Sequence, residues 1–108
     1  MGGPYKTRAY PLTSAAPVEV GSELEDFAQF ARNVQIHVEG LGAGTFKVEY
    51  RPPRSNILIE HVTGATGSDL VILAGTDAPI FEALKITVGG TAAGSEQVAY
   101  VTAWHRGI

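Results

Sequence analysis

The chain has 108 residues, with eight Lys and Arg against eleven Asp and Glu, a formal net charge of −3 and no cysteine. Zero cysteines exclude a disulfide framework, thiolate metal ligation and thiol catalysis. The basic residues of this chain (pI near 5.5) are scattered, which argues against nucleic acid, whose binders cluster Lys and Arg against phosphates.

The length supports one domain with a modest core. No apolar run approaches the roughly 18–20 residues of a transmembrane helix, so no membrane partner is expected. Met1-Gly2-Gly3-Pro4-Tyr5 shows neither the basic segment nor the apolar run of a secretory signal. A hydrophobic content of 44% is too high for a disordered chain. Without disulfides, stability must come from packing or from partner subunits.

Pro4, Pro11 and Pro17 fall within the first 17 residues, beside Lys6 and Arg8. Proline fixes φ and removes a donor, which disfavours both a helix and a central strand. The segment also holds Tyr5, Tyr10 and Leu12, more apolar surface than a solvated tail carries. Two readings stay open: a loose terminus, or an extended arm lying on a neighbouring subunit, its ordering cost lowered by proline. The expected organisation is an N-terminal arm over residues 1–20 and a β-sandwich domain over 21–108. On that division, removing residues 1–18 leaves a folded domain.

Ser22-Glu23-Leu24-Glu25 has capping-box spacing, and Leu24, Phe27, Ala28 and Ala31 share a helical face, so at most a short helix is expected near residues 22–32. From Asn33 the period becomes two. Val34, Ile36 and Val38 alternate with Gln35, His37 and Glu39, and after Gly40–Gly44 the alternation resumes with Phe46, Val48 and Tyr50 inward. The two runs and their glycine-rich turn predict a hairpin. Pro52-Pro53 ends the second run.

Four further strands are expected at Ile57–Val62, Leu70–Ala74, Ala83–Val88 and Val98–Trp104, bounded by glycine-rich turns. Short strands at regular spacing without long amphipathic helices predict an all-β fold, an antiparallel β-sandwich or jelly roll. Val98, Tyr100, Thr102 and Trp104 share one face of the last strand, expected to be a core face, with an interface position as the alternative for Trp104.

Searches for chemistry lead away from an enzyme. His37, His61 and His105 lack metal-ligand spacing. No Gly-x-Ser-x-Gly elbow occurs, and Ser55, Glu60 and His61 are the nearest approach to a triad, although adjacent strand residues point to opposite faces. No Gly-Lys-Ser/Thr follows a glycine-rich turn, and Asp69 and Asp77 do not make a calcium loop. No cofactor is expected. Arg51 and Arg54 flank Pro52-Pro53 in what reads as a solvated turn.

The order Asn33–Val38, glycine-rich turn, Thr45–Glu49 looks like the opening of small β-sandwich structural proteins of tailed bacteriophages. Phe81–Val88 with its Gly/Thr/Ala turn resembles their penultimate strand, and Gln97–Trp104 their closing one. The resemblance covers residues 33–104 and implies a non-enzymatic virion protein of the capsid cement or decoration type. Its implied partners are the major capsid protein and itself, as a dimer rather than a trimer, on the capsid surface. Tyr5, Tyr10, Leu12, Arg51, Arg54 and Trp104 are the candidate partner-binding residues. Related sandwiches also serve as tail or fibre modules that bind carbohydrate or other tail proteins. Arg51-Pro52-Pro53-Arg54 stands where the sugar-binding members often carry an Asp-Gly-x-x-Trp turn.

Overall fold

The computed structural model describes residues 5–20, 33–73, 81–92 and 94–104. Among them lie eight strands: β1 (Tyr5–Leu12), β2 (Val18–Val20), β3 (Asn33–Glu39), β4 (Thr45–Arg51), β5 (Ile59–Ala65), β6 (Val71–Leu73), β7 (Ala83–Gly89) and β8 (Gln97–Trp104). They form two four-stranded sheets, β1-β8-β3-β6 and β2-β7-β4-β5, in which every pairing is antiparallel. The chain is an all-β sandwich. The short helix expected near residues 22–32 falls on residues outside the described set.

Alternation sets the two inner faces. Val34, Ile36 and Val38 of β3 and Ala99, Val101 and Ala103 of β8 face Phe46 and Val48 of β4 and Leu84, Ile86 and Val88 of β7, all buried in one core. The small side chains of β8 lie among the bulkier Phe46, Leu84 and Ile86, so that volumes match across the interior. Burial of a Leu, Ile or Phe side chain contributes about 1.5–3 kcal/mol.

Three expectations change on meeting the structure. Residues 5–20 are extended, yet they pair within the chain: β1 runs along β8 from Tyr5↔Trp104 to Leu12↔Gln97, and β2 lies against β7. A tight turn, with Ala16 N–H donating to Thr13 C=O over 3.1 Å, carries the chain from one sheet to the other. Leu12 and Val20 thereby enter the core at 2% and 0% exposure. Pro11 is tolerated because β1 is an edge strand, where a missing donor costs no ladder bond on the free side.

The predicted β3–β4 hairpin is not formed. β3 belongs to one sheet and β4 to the other, and Leu41, buried at 4%, carries the glycine-rich connection over the end of the core. Alternation specifies which face is wet, not which strand lies alongside. The phase of β8 is also reversed: Ala99, Val101 and Ala103 are buried, whereas Tyr100 and Thr102 are half-buried on the outside.

The strand pairing is nested. β4 pairs with β5, β3 with β6, β2 with β7 and β1 with β8. Consecutive strands from β1 to β4 therefore alternate between sheets, and so do those from β5 to β8.

Candidate functional site

Hydrogen-bonding capacity, exposed apolar surface and charge are distributed unevenly over the two outer faces and four edges of this sandwich. The outer face of the β2-β7-β4-β5 sheet is charged. One row across it reads Glu19, Lys85, Glu49, Glu60, and Lys47 Nζ lies 3.6 Å from Glu49 Oε1. Like charges directly opposite, as at Glu49 and Glu60, weaken a pair. That cost falls where β5 is already irregular.

The outer face of the β1-β8-β3-β6 sheet is close to uncharged. One row carries Thr7, Thr102, Gln35 and Ile72, and the next Ala9, Tyr100 and His37. Thr7 and Thr102 share a 2.8 Å hydroxyl hydrogen bond. The rings of Tyr100 and His37 stack at 6.4 Å, and His37 Nε2 stands 3.7 Å from Glu39 Oε2. Sequence reasoning assigned Tyr100 to the core. The signal that distinguishes the phases is the run of small residues at Ala99 and Ala103, which fits a tightly packed interior better than a wet face.

The edges differ in how they are protected. β2 and β6 have three residues each. β5 shifts register twice against β4, once at His61 and once at Gly64, whose φ of +80° is open to glycine. Short strands and bulges are devices that keep a sheet edge from pairing with another chain. β1 has neither: eight residues match β8 one for one without a break. Its protection is limited to Pro11 and the cations Lys6 and Arg8.

Between the β5 and β6 edges lies a shallow groove of about 380 Å³, lined by His61, Thr63, Asp69 and Ile72 among others. Asp69 is spent on its own loop, its Oδ2 accepting from Thr66 N–H at 2.7 Å. His61 meets Tyr50 edge-on at 6.3 Å. Leu70 and Ile72 in its lining are exposed, as are Ile57, just before β5, and Ile59 at its start. No three His, Asp or Glu side chains among the described residues are grouped to hold a metal.

The sequence-predicted residues are not brought together into one site. Leu12 is core, and Tyr10 packs partly buried against it. Arg51 is engaged internally: Nη1 donates to Glu82 Oε2 at 3.0 Å and to Ser55 C=O at 3.2 Å. Arg54 is exposed at the apex of the Pro52–Ser55 turn in the left-handed region, φ 62°, and its backbone N–H donates to Glu82 Oε1 at 3.2 Å. Tyr5 and Trp104 occupy paired positions at one end of the β1–β8 ladder, far along the strands from Leu12. Ser55 Oγ accepts from Ile57 N–H at 3.0 Å, and Glu60 lies opposite Glu49. Comparison of the chain with protein-family models, with curated proteins and with solved structures gives no match.

Proposed function

We propose that this chain is a non-enzymatic structural protein of a virion, a capsid cement or decoration protein that binds the outer shell and bridges neighbouring major-capsid subunits. The observation that carries the reading is the nested pairing of β1 with β8 through β4 with β5. A hairpin of eight strands wrapped into two sheets has this order in jelly rolls, an architecture of viral capsid domains, lectins and cupins. The small sandwich also carries a long, regular edge strand, β1, and an almost uncharged outer face, a surface suited to protein contact.

The mechanism is mass action. A protein that binds only the assembled shell stabilises it by an amount that grows with the logarithm of its free concentration relative to Kd, and repeated sites on one lattice add avidity. Quantifying copies per purified particle tests the role directly. Hundreds of copies, with loss of resistance to heat or osmotic shock when the protein is removed, are expected. Particles that are equally robust without it would sink the proposal.

One observation favours a second reading, a tail or fibre module that binds carbohydrate. The Tyr100–His37 stack is flanked by Gln35, Thr102 and Glu39 on a solvent-facing sheet, and aromatic faces beside amide and carboxylate groups suit sugar rings. That role requires a handful of copies per particle and glycan binding abolished by Tyr100→Ala.

A further inference from the structure

We infer that the turn over residues 52–57 is a preformed docking knuckle, whose Arg54 and Ile57 enter a carboxylate-bearing, apolar-rimmed pocket on a subunit of the shell. The inference rests on the proposed shell role and names the surface that makes the contact.

The first ground is a conformation held against its own preference. Arg54 is the one non-glycine among the described residues with a positive φ, at 62°. An L side chain is strained there, and glycine would relieve the strain. Strain of this kind persists only where the surroundings over-determine it, and it gathers at ligand clamps and active sites. Pro52 and Pro53 fix two successive φ angles. Ser55 N–H donates to Pro52 C=O at 3.1 Å, Arg54 N–H to Glu82 Oε1 at 3.2 Å, and Arg51 Nη1 to Ser55 C=O at 3.2 Å.

The second ground is what the held turn presents. Arg54 is exposed, and no carboxylate among the described residues pairs with its guanidinium. Both oxygens of Glu82 are taken, one by Arg51 Nη1 and the other by the Arg54 backbone. Ile57 is 70% exposed, more than any other large apolar side chain described, although its own N–H is fixed to Ser55 Oγ at 3.0 Å. Side chains on a backbone already ordered lose less entropy on docking. Arginine is also prominent among the residues that dominate protein interfaces.

The third ground selects the partner. A net charge of −3 opposes attachment to a broadly acidic surface such as nucleic acid or an anionic membrane. A single cation beside an apolar side chain matches a protein pocket that holds one carboxylate. The planar guanidinium can pair with it through two parallel hydrogen bonds.

The test is binding of the full chain to purified particles assembled without it, read as the concentration that half-saturates them. Arg54→Gln and Ile57→Asp are each expected to raise that concentration at least about ten-fold. Thr87→Glu, opposite Lys47 on the charged outer face, changes net charge by the same single unit as Arg54→Gln and is expected to leave binding unchanged. Arg54→Gly separates docking from folding: it is expected to melt no lower than the native chain and to bind as weakly as Arg54→Gln. Native-like binding by the Arg54 variants or by Ile57→Asp overturns the inference alone. An equal loss with Thr87→Glu also overturns it, because net charge then accounts for the effect. A native chain that does not bind the particles overturns the shell role, and this contact with it.

Discussion

Arg51 and Glu82 hold each other twice. The guanidinium meets the carboxylate at 3.0 Å, and the Glu82 backbone N–H donates to the Arg51 carbonyl at 2.8 Å. The second carboxylate oxygen accepts the N–H of Arg54. One acidic side chain just before β7 thus shapes the turn that follows β4.

Replacing Glu82 by Ala is expected to lower unfolding free energy by about 1 kcal/mol. The ion pair supplies the smaller share, because both side chains see solvent, and the lost acceptor for the Arg54 N–H supplies the rest. Urea denaturation of the two proteins in low and high salt checks this. A loss that vanishes entirely in high salt would assign the whole effect to the ion pair.

Arg54→Gly is expected to stabilise the chain by up to about 1 kcal/mol. An L side chain in the left-handed region costs about 1–2 kcal/mol, part of which returns as extra entropy in the unfolded glycine chain. Arg54→Val, branched at Cβ, should move stability in the opposite direction. Parallel thermal melts give both signs.

Two glycines are expected to resist alanine for different reasons. At Gly64 the added Cβ meets nothing within 4 Å, so the cost is the positive φ alone, about 1–2 kcal/mol. At Gly44 the φ is ordinary, but the Cβ would stand 2.8 Å from the Gly89 carbonyl oxygen and 2.6 Å from Thr91 Cγ2. The threonine methyl can rotate away, whereas the backbone oxygen cannot. Overpacking of this kind costs about 1–3 kcal/mol. Gly44→Ser should be as damaging as Gly44→Ala, while Gly64→Asn should be milder than Gly64→Ala, since asparagine tolerates the left-handed region. Denaturant midpoints for the four variants decide the matter.

Deleting residues 1–18 is expected to abolish cooperative unfolding. The deletion removes all of β1 and the buried Leu12, and it strips β8 of one neighbour along its full length. A truncated chain that retains dispersed amide resonances and a sharp melt would show that the sheet tolerates the loss.

Strand positions were legible where one face is wet and the other dry. β3, β4 and β7 begin where the alternation of Val34, Phe46 and Leu84 with polar neighbours places them. β5 was expected two residues early, because its bulges insert residues that break the period, and Ile57, apolar by type, is 70% exposed. β1 was hidden by its prolines, which disfavour central strands but not edges. Which strands lie side by side was not legible: β3 and β4 share a turn and a rhythm yet belong to different sheets. Arg51 and Arg54 were visible as a turn, while their tie to Glu82 spans a separation that no local signal reports.

The nested pairing also carries a rule for how the chain closes. The β4–β5 contact joins Tyr50 to Ile59 across a short loop, whereas β1 meets β8 through residues as far apart as Tyr5 and Trp104. Loop-closure entropy grows with the span to be closed, but every inner pair already made shortens the span left to the next. Assembly from the middle outward therefore divides one long search into four short ones. On that order the last strand to find its place would be β1, at an outer edge of its sheet.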